Sequence, residues 1–130
     1  MDNIDKEILS LLKTNGRLTN KEIGQLVHLT GQAVGNRISK LQENGTIIHF
    51  TTAISYSFQQ YIMVYMDSNQ FSRFEHFATA YEEIDEFYKV SGHACYLIKA
   101  HFNEADLKAF LERLTYWGRY NVENILQQIK

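Results

Sequence analysis

The chain has 130 residues, of which 45% are hydrophobic and 22% charged, a balance that excludes a disordered chain. Its formal net charge of −2 provides no overall attraction to a polyanion, so a nucleic-acid role has to rest on how the charges are distributed. One cysteine, Cys95, excludes an intramolecular disulfide, and no closely spaced Cys or His accompanies it as a zinc motif requires.

No metal or other cofactor is therefore expected. No apolar run approaches the roughly 20 residues that span a bilayer. The start, Met1-Asp2-Asn3-Ile4-Asp5, is acidic where a signal peptide is basic, so a cytoplasmic protein without a membrane partner is expected.

In chain order, the apolar residues first follow a helical period in three short blocks. Ile4, Ile8, Leu11 and Leu12 form one stripe, and Asn15-Gly16 is a stop signal. Thr19-Asn20-Lys21-Glu22 has the spacing of a capping box and opens a brief helix with Ile23, Leu26 and Val27 as its apolar stripe. After His28-Leu29, Thr30 is a good N-cap for a third helix that turns Val34, Ile38 and Leu41 inward and closes at Asn44-Gly45. Two turns of helix, a tight turn and a longer capped helix, preceded by a helix that completes their core, is the helix-turn-helix arrangement.

A plain three-helix interaction module has the same apolar pattern. The outward face of the third helix separates the two readings: Gln32, Asn36 and Lys40, flanked by Arg37 and Ser39, carry no acid before Glu43. A merely solvated face usually mixes both signs, whereas this one presents amides and cations. Charge follows the same division, with six Lys and Arg against five Asp and Glu in residues 1–54, and seven against ten in the remainder.

Beyond Gly45 the pattern becomes β-rich. Ile47 to Ile54 reads as a connecting strand and Tyr61 to Met66 as the next, with Ser55-Tyr56-Ser57 as linker, which places the domain boundary near residue 55. Phe71, Phe74, Phe77, Ala78 and Tyr81 form a helical stripe, Phe87 to Val90 and Tyr96 to Phe102 two strands, and Leu107, Phe110, Leu111 and Leu114 a second helical stripe. Val122 to Ile129 is expected as the last strand. The predicted fold is α+β: a three-helix, winged helix-turn-helix domain over 1–54, then a ferredoxin-like βαββαβ domain over 55–130. Both parities of Tyr61 to Met66 are apolar, which predicts burial on both faces and a second subunit over the sheet.

Taken in order, Ile4 to Leu9, Asn15 to Thr19, Leu29-Thr30, Ala33-Val34, Asn36-Arg37-Ile38, Leu41 and Gly45 to Ile48 resemble the successive signature segments of the Lrp/AsnC family, the feast/famine regulators. Tyr88 to Gly92 leading into Tyr96-Leu97-Ile98 is similar to the centre of that family's effector and oligomerisation domain. The resemblance implies a transcriptional regulator that binds double-stranded DNA as a homodimer, often assembled into tetramers or octamers, with an amino acid as effector in members that bind one. It makes the third helix the recognition helix. Gln32 and Asn36 are the candidates for base edges, because amides pair bidentately with adenine. Arg17, Lys21, Arg37 and Lys40 are candidates for phosphate, with Thr30 and Ala33 at the start of the same helix.

Some alternatives stay open at this point. Arg37 either contacts DNA or braces the fold through an acid such as Asp5. In the effector segment Gly92, His93, Ala94 and Cys95, the cysteine stands where amino-acid-binding members carry an acid, so the counter-charge for an ammonium group is missing. Cys95 is then a buried small residue, a mark of a changed or absent ligand, or a redox thiolate beside His93. Two further functions compete with regulation by DNA binding. One is an effector or interaction module with a vestigial helix-turn-helix. The other is an enzyme resembling the Lrp-like tetrapyrrole decarboxylases, using His49, His76, His93 or His101, which lack metal-ligand spacing.

Overall fold

The computed structural model describes all 130 residues, which divide into two compact units, Met1–Ile54 and Ser55–Lys130. No helix is long and apolar enough to cross a membrane.

The first unit contains α1 (Asn3–Thr14), α2 (Asn20–Val27) and α3 (Gly31–Glu43). Each begins at a side-chain cap: Asp2 accepts from the Asp5 amide, Thr19 from Glu22 and Thr30 from Ala33. At Thr19 the box is reciprocal, because the Glu22 carboxylate accepts from the Thr19 amide at 3.0 Å, and that bond holds the Glu22 carboxyl below its ordinary range. Ile8, Ile23, Val27, Val34 and Ile38 are buried together, with Ile4, Leu11, Leu12 and Leu18 packed around them. No single helix of 8 to 13 residues is stable alone, and it is this shared core that supports all three.

The expected connecting strand over 47–54 is absent, and with it the wing. Residues 48–59 contain no helix or strand, and Ile48 is 85% exposed. The β-prone composition is present, but a strand exists only where another strand accepts its hydrogen bonds, and none lies beside this segment in the chain.

The second unit contains β1 (Gln60–Met66), α4 (Phe71–Thr79), β2 (Ile84–Lys89), β3 (Tyr96–Ala100), α5 (Glu104–Leu114) and β4 (Gly118–Asn124). The sheet is fully antiparallel in the order β2-β3-β1-β4. Ile62, Val64, Tyr96, Ile98 and Ala100 form the core with Phe74 and Ala78 of α4, Phe110 and Leu114 of α5, and Phe102 and Trp117. Burial of β1 is one-sided within the chain. Ile62 and Val64 are buried, while Tyr61, Met63 and Tyr65 are half-buried on the other parity.

The last strand begins four residues earlier than its apolar residues suggest. Its only partner is β1, and the register runs from Met66↔Gly118 to Gln60↔Asn124, so pairing uses the polar-looking Gly118-Arg119-Tyr120-Asn121 and ends before Leu126 and Ile129. Those two residues lie beyond the strand, and Leu126 is 98% exposed.

Candidate nucleic-acid interface

The turn between α2 and α3 sets the geometry of the first unit. Val27 ends α2, His28 takes the left-handed conformation at φ 60, and the amides of both His28 and Leu29 donate to the Gly24 carbonyl. The chain folds so tightly over Gly24 that a Cβ there would lie 2.4 Å from the Leu29 carbonyl oxygen. Thr30 then starts α3.

At 3.6 residues per turn, Gln32, Asn36, Ser39 and Glu43 fall within about 60° of arc on α3, opposite the buried Val34, Ile38 and Leu41. Gln32, Asn36 and Lys40 are exposed, Ala33 is half-buried, and the Thr30 hydroxyl is committed to the cap at 3.1 Å from the Ala33 amide. Arg17 in the α1–α2 turn and Lys21 on α2 are exposed cations.

Arg37 behaves differently. Its Nη1 donates to both carboxylate oxygens of Asp2, at 2.9 and 2.7 Å, and to Asp5 Oδ1 at 3.1 Å. Of the two roles open for Arg37, bracing is the contact observed, with Asp2 as a partner that periodicity does not reveal. The same Asp2 caps α1, so one carboxylate joins the start of α1 to the middle of α3. The bond from Arg37, and after it that from the Asp5 amide, lowers the Asp2 carboxyl from its ordinary 3.8. A carboxyl held low in the fold stabilises it above the unfolded value and ceases to do so as the pH falls through the lowered one. Arg37→Gln is therefore expected to melt below the wild type at pH 7, with the two melting temperatures converging in acid below about pH 4. A gap that persists unchanged to about pH 2 in calorimetry would show that the guanidinium acts through packing alone.

In the second unit, Gly92 adopts φ 143 in the β2–β3 turn, Ala94 and Cys95 are half-buried, and His93 is exposed. Cys95 packs against the domain core, and its amide donates to the Val64 carbonyl at 2.9 Å. Of these four residues only His93 lines the open depression at this end of the sheet, alongside Tyr65, Asp67, Arg119 and Asn121. Asn121 donates to the Tyr65 hydroxyl at 3.1 Å, and the Arg119 guanidinium lies over the Tyr65 ring at 5.6 Å. Asp67 and Arg119 are far apart in the chain, so spacing alone gives no signal of them; the Met66↔Gly118 register brings them together.

Residues 1–42 match the family model for the AsnC-type helix-turn-helix domain, and residues 59–130 that for the Lrp/AsnC ligand binding domain. The chain belongs to the Lrp/AsnC family of transcriptional regulators. This Lrp/AsnC chain is 35% identical to the HTH-type transcriptional regulator LrpB of Bacillus subtilis over 136 aligned positions, covering 100% of the chain and 91% of LrpB. The structure of B. subtilis LrpC shares its fold at a TM-score of 0.90 with 21% identity, over 100% of this chain and 97% of that one. A Neisseria meningitidis transcriptional regulator solved in complex with L-Met superposes at a TM-score of 0.83 with 24% identity, over 100% and 92% of the two chains. As a member of this family the protein is a DNA-binding transcriptional regulator, and its curated relatives are named as transcriptional regulators.

Proposed function

We propose that this regulator reads DNA with α3 in the major groove, Gln32 and Asn36 at base edges, and Lys40, Lys21 and Arg17 on phosphates. The observation that carries this reading is the exposed stripe of α3, which holds amides and a cation with no acid before Glu43. Arg37 serves it indirectly, by holding α3 against α1.

A homodimer or a larger even assembly fits the helix-free sheet face, where Tyr61 and Met63 of β1 meet Lys99 and Leu97 of β3. The apolar residues of the unpaired 48–59 segment, Phe50 and Ile54 among them, suit pairing with a second copy. Two copies would present their recognition helices to successive major grooves about 34 Å apart on a pseudo-palindromic site.

An amino acid is the effector class that fits the depression beside His93. Asp67 offers the carboxylate that Gly92 to Cys95 lacks, and Arg119 offers a partner for the ligand's own carboxylate. The L-Met complex of the Neisseria relative supports the same class.

Selection of bound duplexes from a random-sequence pool, with and without an amino-acid mixture, tests both halves. Gln32→Ala and Asn36→Ala are expected to relax preference at particular base positions, at about 1–3 kcal/mol each. Lys40→Ala is expected to weaken all sequences alike and lower the salt slope by about one. Uniform losses from all three variants would contradict the division of roles.

A further inference from the structure

Gly35 leaves one shoulder of α3 without a side chain, and the space is filled from α2. A Cβ at Gly35 would lie 3.0 Å from Asn20 Nδ2 and 3.8 Å from its Cγ, so the Asn20 carboxamide rests on the helix surface there. Asn20 is exposed, and the neighbouring capping bonds run between Thr19 and Glu22 without engaging its amide. Both of its polar atoms therefore remain available to a partner outside the chain.

The position of that shoulder decides what the partner is. A helix is about 10–12 Å across and the major groove about 12 Å wide, so a helix seated with one stripe on the base edges has its flanks against the sugar-phosphate walls. With Gln32 toward the bases, Lys40 lies about 80° to one side and Gly35 about 60° to the other. Lys40 supplies a wall contact directly. On the opposite flank the position nearest Gln32 is residue 35, a glycine, and the exposed Gln42 on that side lies about two turns further along the helix.

We propose that Asn20 makes the missing wall contact, its amide donating to a phosphate oxygen opposite Lys40, and that Gly35 is a positioning residue that seats it. The proposal rests on α3 lying in the major groove. A neutral donor in this place has a distinctive signature. It orients the helix without choosing a base, and it displaces no counterion, so its loss lowers affinity without changing the salt dependence.

The test uses the full chain, a duplex recovered from a random pool by the wild type, and an unselected duplex of equal length. Asn20→Ala is expected to weaken both by the same factor, about three- to tenfold, the value of one neutral hydrogen bond, with the slope of log K against log salt unchanged. Gly35→Ala is expected to keep or raise the melting temperature, because alanine favours helix and only the end of a flexible side chain must yield, yet to weaken both duplexes similarly. Combined with Asn20→Ala it is expected to cost nothing further.

Wild-type affinity in Asn20→Ala, alongside losses in Gln32→Ala and Asn36→Ala, would place Asn20 outside the interface and overturn the proposal alone. If the two α3 variants also bind like the wild type, the recognition-helix reading fails and the proposal with it. A base-selective loss in Asn20→Ala would overturn the phosphate assignment. A Gly35→Ala effect that persists undiminished without Asn20 would overturn the positioning role.

Discussion

Gly24→Ala is expected to abolish DNA binding by unfolding the turn that sets α3. The added methyl would meet the Leu29 carbonyl oxygen at 2.4 Å, and the obstacle is backbone, so no rotamer change relieves it. Gly24 already accepts the amides of His28 and Leu29 through its own carbonyl, so moving the turn outward breaks the bonds that end α2. Overpacking of a constrained site costs about 1–3 kcal/mol and occasionally more. A unit of about 50 residues is stable by only about 3–8 kcal/mol, so the loss is a large share of the total. Circular dichroism should show helix loss at room temperature or a melting temperature lower by many degrees, and gel shift should show no retained duplex. A Gly24→Ala protein that melts and binds like the wild type would mean that the turn is free to open.

Gly118→Ala is the corresponding change in the second unit, and its effect should be confined there. A Cβ would lie 2.0 Å from the Tyr65 carbonyl oxygen and 3.0 Å from the Met66 Cα, where β4 begins its pairing with β1. Relief requires the strands to separate at Met66↔Gly118. That removes the end of an edge strand and moves Trp117, which packs on Phe74 and Phe77, out of the core. We expect a loss of about 3 kcal/mol or more, seen as a lower transition for this domain and as loss of Trp117 fluorescence change on ordinary melting. Arg119 and Asp67 border the depression proposed for the effector at the same register point, so the proposed amino-acid binding should fail together with stability. Retained stability with a normal Trp117 signal would contradict this account.

The helical half was legible because its determinants are local. The Thr19 and Glu22 box, the Thr30 cap and the inward Val34, Ile38 and Leu41 each depend on residues within one or two turns, and each is found as the spacing implies. Determinants that act across the fold were not legible in the same way. Asp2 is 35 residues from Arg37, and only the packing of α1 on α3 makes it a partner. The need for glycine at 24 arises from the path of the residues after it. Strand limits failed for a related reason: apolar composition placed strands at 47–54 and 122–129, whereas the first segment has no partner strand in the chain and the second pairs only as far as β1 extends. In the segment Gly92 to Cys95 the family resemblance showed a cysteine, Cys95, where an acid is expected, and the register of β1 with β4 places an acid, Asp67, at the neighbouring depression.

The buried amide at the start of β1 bears on how this domain finds its fold. Gln60 is 2% exposed, and its side chain imitates a peptide unit: Oε1 accepts from the Phe102 amide at 3.0 Å while Nε2 donates to the Phe102 carbonyl at 2.8 Å. Pairing shifted by one residue would turn Ile62 and Val64 outward and leave both ends of that amide, and the Phe102 backbone, without partners in an apolar interior. Mispaired sheets are thereby penalised twice, once for each kind of group. In a domain whose outer face is also apolar, the Gln60 amide therefore favours the native register over its near-native neighbours.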